Sequence, residues 1–142
     1  MRIHIDLPQN LNFFCEIPLR IGDINYGGHL GNDSILSIVH ESRVLYLKSL
    51  GYEELKFGGV GLIMADSAII YKSEAFYPET LQIRIGVADL SGVGFDLIYS
   101  ITAKSSGKEI ARAKTGMVCF DYSSKKVARL PDEVKVQMES CA

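Results

Sequence analysis

The sequence has few cysteines and few histidines, and each shortage excludes a kind of site. Its three cysteines, Cys15, Cys119 and Cys141, are an odd number without CxxC spacing, so neither a disulfide framework nor a zinc site is indicated. Its three histidines form neither an HExxH pattern nor a Cys/His pair, and we therefore expect no bound metal. This use of cysteine is typical of a reducing compartment, which predicts a cytoplasmic protein.

Net charge and long apolar runs are lacking as well, which excludes two classes of partner. The formal net charge is -2, with 15 Lys and Arg interspersed among 17 Asp and Glu, so no basic face for nucleic acid is indicated. No apolar run is long enough for a membrane span, and residues 1–8 lack the apolar region and cleavage site of a signal peptide. We expect neither nucleic acid as a partner nor a membrane span.

What the sequence contains is the composition of a folded globular protein. Hydrophobic residues make up 47% of the 142 residues and charged residues 23%, and there is no internal repeat or low-complexity segment. A chain of this length buries about two thirds of its unfolded surface around one core. We therefore predict a single domain over residues 1–142.

Apolar periodicity predicts one strand, one long helix and then at least four further strands. Alternation predicts the first strand over residues 13–24, in which Pro18 suggests an edge or a bulge. Helical spacing predicts a helix over residues 32–51, capped by Asn32 or Asp33 and enclosed on more than one side. The later elements are an antiparallel meander of strands and a short final helix, predicted at 60–71, 80–89, 92–101, 109–121 and 132–139. This order indicates an α+β fold in which a curved sheet wraps around one helix.

The stretch that joins the first strand to the long helix, residues 22–32, is rich in glycine and polar side chains. Glycines allow a tight turn and a close approach to a ligand, while the N–H groups and dipole of the helix point back at the turn. Such a junction can hold an anion, and Asp23, Asn25 and His29 add side-chain chemistry there. The alternative is a plain strand-to-helix connection whose glycines serve only geometry.

Several segments carry a family resemblance. Gly-His-Leu-Gly-Asn at residues 28–32 leads into a helix with His-Glu-Ser-Arg at 40–43, and the segments 70–75, 91–96 and 113–121 follow in matching order. Over residues 12 to 130 the chain resembles the hotdog-fold acyl-CoA thioesterases of the 4-hydroxybenzoyl-CoA thioesterase-like group. The resemblance implies a hotdog fold, with an antiparallel sheet wrapped around one long central helix.

The resemblance also implies a function and an assembly. The expected ligand is an acyl-CoA or acyl-carrier thioester, with coenzyme A entering as part of the substrate and no separate cofactor. The expected assembly is a homodimer or a dimer of dimers, joined sheet edge to sheet edge, with active sites at the subunit interface. In this group the thioester carbonyl lies at the N-terminus of the central helix, and an acidic residue in the preceding turn activates water or attacks the carbonyl.

Residues of the turn match this arrangement, with one departure. The N–H groups of Gly27, Gly28 and His29 would stabilise the oxyanion, and the His29 ring could bond the thioester oxygen or a water, or merely fix the turn. Asn25 occupies the position of the acidic residue, and an amide can orient water or donate to a carbonyl but cannot act as a general base. The candidates for binding substrate are Tyr26, Gly27, Gly28, Glu41, Tyr71 and Lys72.

A catalytic carboxylate must then come from elsewhere, and each of three candidates has a structural alternative. Asp23 is nearest in sequence but could serve only the turn or the helix dipole. Asp66 lies in an apolar strand, where an ionised carboxylate must be paired, hydrogen-bonded, or at an edge or subunit interface. Its alternative is a structural bond to backbone or to Arg43. Glu41 is expected to pair with Arg43 or a strand residue rather than to catalyse.

Two functions follow from these observations. The first is a thioesterase in which Asn25 and a carboxylate, Asp66 or Asp23, act on the water that attacks the thioester. The alternative is a non-hydrolytic acyl-thioester-binding protein or a dehydratase-like hotdog protein, in which His29 would act with a carboxylate. Asn25 keeps this alternative open, and the sequence leaves the acyl chain and the choice of dimer or tetramer undetermined.

Overall fold

The computed structural model describes residues 1–141, which form two α-helices and a six-stranded sheet. The helices are α1 (Asn32–Ser49) and α2 (Asp132–Cys141). Apart from the first strand, the predicted elements are present with ends that shift by no more than two residues. The strands are β1 (Phe13–Pro18), β2 (Gly61–Tyr71), β3 (Thr80–Ala88), β4 (Gly94–Ala103), β5 (Glu109–Asp121) and β6 (Lys126–Val127).

The strand order in the sheet is β1-β3-β4-β5-β2, with antiparallel neighbours and β6 paired to β5. The predicted meander is confirmed for β3, β4 and β5. It is wrong for β2, which pairs with β5 because the connection over residues 72–79 carries the chain across the sheet to β3. As a result, β1 and β2 are the two edge strands.

The first strand is shorter than predicted, because β1 ends at Pro18 rather than near Ile24. Proline has no N–H to continue the ladder. The chain then makes a 3-10 turn at Ile21–Asp23, where the Arg20 N–H donates to Asp23 Oδ2 over 2.9 Å. This turn redirects the chain from the sheet edge towards the start of α1.

Helix α1 packs its apolar stripe against one face of the sheet. Val39 and Leu47 of the helix are fully buried, as is Leu97 of β4. The α+β plan, an antiparallel sheet around one long helix, is confirmed. The predicted enclosure of the helix on more than one side is wrong for a single chain, because Leu36 and Val44 remain exposed along one face.

One charged residue, Arg43, is buried between α1 and the sheet. Its Nε donates to Glu54 Oε1 over 3.2 Å, and its Nη1 donates to the Tyr99 hydroxyl over 3.5 Å. The same hydroxyl lies 2.9 Å from Thr115 Oγ1 on β5. The expected pairing of Glu41 with Arg43 is therefore wrong, since Glu54 takes that place and Glu41 lies on the exposed side of α1.

The segment before β1 lies across the face of the sheet that α1 does not cover. Ile5 is buried there, and its carbonyl accepts a 2.9 Å hydrogen bond from Nη1 of Arg112 on β5. Gly86 of β3 lies close beneath the segment, since an added Cβ would stand 2.5 Å from the Asn10 carbonyl oxygen. Both faces of the sheet are therefore covered over part of their area.

Helix α2 closes the core beside α1. Val134 and Met138 are fully buried, and the Tyr46 hydroxyl donates to the Met138 sulfur over 3.7 Å. Within residues 1–141, neither helix has the length and apolar character needed to cross a membrane.

Gly94→Ala tests the close approach of β4 to β5. A Cβ on Gly94 would overlap the carbonyl oxygen of Met117, so the backbone would have to shift. We expect the free energy of unfolding, measured by urea denaturation, to fall by about 2 kcal/mol. Gly92→Ala is the matched control and should change stability little, because no other described residue comes within 4 Å of its Cβ position. Equal stability of the two variants would contradict this packing.

Candidate active site

The glycine-rich turn is a tight hairpin that ends at the start of α1. Ile24 and Leu30 form an isolated antiparallel bridge, and the Asn25 N–H donates to the His29 carbonyl over 2.9 Å. The Gly28 N–H donates to the Asn25 carbonyl over 3.0 Å, with Gly28 at φ 84°, a conformation that favours glycine. Tyr26 stands at the tip of the hairpin and is fully exposed.

The Asn25 side chain holds this hairpin together. Its Oδ1 accepts the Gly27 N–H over 2.9 Å and the His29 N–H over 3.4 Å. Together with the Gly28 bond to the Asn25 carbonyl, these bonds use inside the turn all three N–H groups that were expected to stabilise the oxyanion. Because Oδ1 faces these donors, the Nδ2 amide group is the part of Asn25 left to meet a ligand.

Free N–H groups occur instead at the first turn of α1. The cap residue is Gly31, so the predicted capping by Asn32 or Asp33 is wrong. Both belong to the helix itself, and no side chain of residues 1–141 caps it. The N–H groups of Asn32 and Asp33 have no acceptor among residues 1–141. They lie at the positive end of the helix dipole and can bind an anion or a developing oxyanion.

A cleft of about 200 Å³ opens beside this helix start. It brings together three of the predicted site residues, because β2 ends next to α1. The polar side chains that line it are His29, Asn32, Tyr71, Lys72, Ser73 and Glu74.

The cleft contains a histidine and a carboxylate that face each other. His29 Nδ1 lies 3.3 Å from the Leu30 carbonyl oxygen, while His29 Nε2 lies 4.0 Å from Glu74 Oε1. With the proton on Nδ1, the Nε2 lone pair faces Glu74 across a gap that one bridging water can fill. Sequence reasoning missed Glu74, although Lys72 and Glu74 follow directly after the predicted strand.

Asp23 and Glu41 lie in a different cleft, on the β1 side of α1. This second cleft measures about 180 Å³ and also contains Arg20 and Ser37. One Asp23 carboxylate oxygen already accepts the Arg20 N–H. The structure thus brings Asp23 and Glu41 together but does not bring either into the cleft of His29.

Asp66 lies on the face of the sheet opposite α1. Its carboxylate accepts a 2.6 Å hydrogen bond from Lys114 Nζ, which holds the pKa of Asp66 below its usual value. Of the two structural alternatives, the bond to Arg43 is wrong, whereas a backbone hydrogen bond from Gly116 is present and also lowers the pKa of Asp66. The charge is not buried, since the side chain is 64% exposed. Asp66 precedes Tyr71 by five residues, which places it roughly 17 Å along β2 from the cleft. The structure does not bring Asp66 to the turn within one chain.

An antiparallel sheet around one long helix, in this strand order, is the hotdog fold. Residues 19–138 match the Thioesterase-like superfamily, and the chain belongs to this family. The fold and family expected from the sequence are thereby confirmed. Among curated proteins none matches the chain.

Two solved structures illustrate the similarity. A 1,4-dihydroxy-2-naphthoyl-CoA thioesterase from Synechocystis has a TM-score of 0.81 and 22% identity, covering 89% of this chain and 94% of its own. A DHNA-CoA thioesterase from Staphylococcus aureus has a TM-score of 0.79 and 21% identity, covering 89% of this chain and 90% of its own. At these identities the similarity establishes the fold.

Asn25→Ala and Asn25→Asp test the role of the Asn25 side chain in the turn. Alanine removes the acceptor of two N–H groups, so we expect it to lower the free energy of unfolding by about 1 kcal/mol. Aspartate keeps an acceptor oxygen in the same place and should leave stability near that of the wild type. Urea denaturation of both variants measures the difference. An equal loss in both would contradict the hydrogen bonds of Oδ1.

Asp96→Asn tests the electrostatics beside Asp66. Burial raises the pKa of Asp96; Lys114 opposes the shift and the neighbouring Asp89 adds to it. Because the folded state favours the protonated carboxyl, the contribution of Asp96 to the free energy of unfolding is present in acid and is lost as the pH rises through the raised pKa. The free energy of unfolding of Asp96→Asn minus that of the wild type, measured by urea denaturation, should therefore increase as the pH rises from about 4 to about 7. Asp121→Asn should show the opposite trend in a lower range, since backbone N–H groups lower the pKa of Asp121 and its contribution to stability is lost as the pH falls below about 4.

Proposed function

We propose that this thioesterase-family protein hydrolyses an acyl-CoA or acyl-carrier thioester to a free acid and a thiol. The observation that carries the proposal is the pair of unpaired N–H groups at Asn32 and Asp33, which start α1 beside the cleft of His29. A thioester carbonyl placed there would develop its negative charge against two donors and the helix dipole. Each such donor contributes about 3 kcal/mol of transition-state stabilisation.

In the proposed reaction, His29 is the general base. A water between His29 Nε2 and Glu74 attacks the carbonyl carbon, and its proton passes to Nε2. The carboxylate of Glu74, 4.0 Å away, stabilises the imidazolium that forms. Collapse of the tetrahedral intermediate expels the thiolate, which takes the proton back from His29. This arrangement needs no carboxylate at position 25.

Other residues would bind the rest of the substrate. Because its Oδ1 is used inside the turn, Asn25 would donate to the carbonyl or to the water through its Nδ2 group. Lys72 is a cation beside the cleft, suited to a phosphate of coenzyme A. Tyr71 and Tyr26 expose aromatic rings that can pack on the pantetheine or acyl part. Coenzyme A is then part of the substrate, and the reaction requires no separate cofactor.

The proposed assembly is a homodimer, alone or as a dimer of dimers, with the site at the subunit interface. The cleft of about 200 Å³ is smaller than the roughly 300–1,000 Å³ of ligand pockets, so one chain encloses only part of the substrate. The exposed apolar side chains of Leu36 and Val44 on α1 and the free edge of β2 are the surfaces through which we expect a second copy to bind. We place this protein in the cytoplasm, as its cysteine usage predicts.

A second candidate is a dehydratase-like or non-hydrolytic acyl-thioester-binding protein. The observation that favours it is the pairing of His29 with Glu74, since a histidine and a carboxylate can also remove and return the elements of water. Asn25 in place of an acidic residue is compatible with both functions. The two differ in product, because only hydrolysis releases a thiol.

His29→Ala and Glu74→Gln test the proposed base in a thiol-release assay over a panel of acyl-CoAs. We expect His29→Ala to lower kcat by about 100-fold or more and Glu74→Gln by a smaller factor. Glu139→Gln on the exposed surface of α2 is the matched control and should keep wild-type activity. Full activity of His29→Ala would contradict the base. A wild type that binds coenzyme A and forms an enoyl product without releasing thiol would establish the second candidate instead.

A further inference from the structure

The loop that follows β2 holds two side chains against the ring of His29. These are Glu74 and Phe76, the neighbours in sequence of Ala75, which is buried. The Ala75 carbonyl accepts the Leu30 N–H over 2.8 Å, so the loop is tied to the residue next to His29. The imidazole therefore meets the loop directly beside a backbone hydrogen bond that joins the loop to the hairpin.

The start of this loop is anchored as well, through β5. The N–H groups of Lys72 and Ser73 both donate to the Ile110 carbonyl, over 2.8 and 3.2 Å. The Ser73 hydroxyl donates to the Glu109 carbonyl. Because hydrogen bonds hold the loop on both sides of position 74, its side chains extend from fixed backbone positions towards the histidine.

The two side chains meet the His29 ring in different ways. Glu74 lines the cleft, and its Oε1 lies 4.0 Å from Nε2 of His29. Phe76 is not among the residues that line the cleft, and its ring packs against the imidazole in a T-shaped arrangement. The ring centroids are 6.5 Å apart and the planes form an angle of 85°, within the range of favourable aromatic pairs. Phe76 thus contacts the histidine without taking up the space of a ligand.

The imidazole needs such a contact because its own torsion leaves the ring free to turn. The last torsion of a histidine side chain is broad, so rotamer preference alone does not fix the plane of the ring. Its hydrogen bond within residues 1–141, between Nδ1 and the Leu30 carbonyl, is 3.3 Å long and therefore weak. A ring that turns out of this plane loses the hydrogen bond and no longer directs Nε2 at Glu74.

We propose that Phe76 is a positioning residue, whose ring holds the plane of the His29 imidazole so that Nε2 faces Glu74. The proposal rests on the proposed function, in which His29 takes a proton from water, and adds the residue that keeps this base oriented. The Leu30 carbonyl selects the nitrogen that carries the proton, and Phe76 restrains the plane of the ring. Both contacts are needed for the base to act.

Kinetics of Phe76 variants in the thiol-release assay test this role. Phe76→Leu keeps an apolar side chain but removes the ring, so we expect kcat to fall about fivefold with KM unchanged. Phe76→Tyr keeps the ring and should keep the wild-type kcat. Tyr77→Leu is the matched control, because Tyr77 is similarly exposed and forms no aromatic pair within residues 1–141. Two results would overturn the proposal: a rise in KM alone, which assigns Phe76 to substrate binding, or an unchanged kcat in Phe76→Leu.

A double variant separates positioning from a general disturbance of the loop. If Phe76 acts by directing His29 at Glu74, the loss of kcat caused by Glu74→Gln should be smaller in the Phe76→Leu background than in the wild type. Losses that simply multiply in the double variant would contradict this route through His29.

The NMR signals of the histidine rings report the contact without any substrate. The chain has three histidines, so the Cε1–H signal of His29 is assigned as the one missing from His29→Ala. We expect Phe76→Leu to shift this signal and to leave the signals of His4 and His40 in place, while Phe76→Tyr preserves all three. An unchanged His29 signal in Phe76→Leu would overturn the ring contact.

These outcomes are distinct from a failure of the proposed function. A wild type that releases no thiol from any acyl-CoA overturns the hydrolysis and, with it, the positioning of a base by Phe76. A wild type that hydrolyses, together with a Phe76→Leu variant of equal kcat, overturns the positioning alone and leaves the proposed function intact.

Discussion

The buried guanidinium of Arg43 determines where α1 lies on the sheet, and the site depends on that placement. A buried charge persists only when it is paired, and removal of one partner typically costs about 3 to 5 kcal/mol. Arg43 meets Glu54 in the loop before β2 and Tyr99 in β4, so one side chain links the helix, a loop and the central strands. Because a helix is rigid, this link also sets the position of the first turn of α1 relative to the end of β2.

The chemistry of the site comes from the closeness of the first turn of α1 to the end of β2, more than from any single residue. The helix start offers free N–H groups, and the end of β2 adds a cation and a carboxylate within the same cleft. His29 connects the two, since it precedes the helix and faces Glu74. In the proposed reaction, a turn with Asn25 at this position keeps the oxyanion donors at the helix start, while His29 acts as the base and Glu74 supports it from the other wall of the cleft.

Much of this fold can be predicted from the sequence, because α1 and most strands each bury one face and carry a regular apolar period. The position of β2 beside β5 could not, since it joins residues about fifty positions apart and leaves no local pattern. The same limit applies to Asp66, whose partner Lys114 is equally distant in sequence. Asn25 was recognisable as a departure, but its two hydrogen bonds depend on backbone geometry that residue types alone do not specify.

The hairpin at residues 24–30 satisfies its own hydrogen bonds without a ligand. Its conformational entropy is therefore lost when the chain folds and not when a substrate arrives. A ligand that binds at the start of α1 meets donors already in place, and the free energy of contact is available for orientation and for the transition state. The exposed ring of Tyr26 at the tip is then the part of the hairpin that retains freedom to adapt to ligands of different shape.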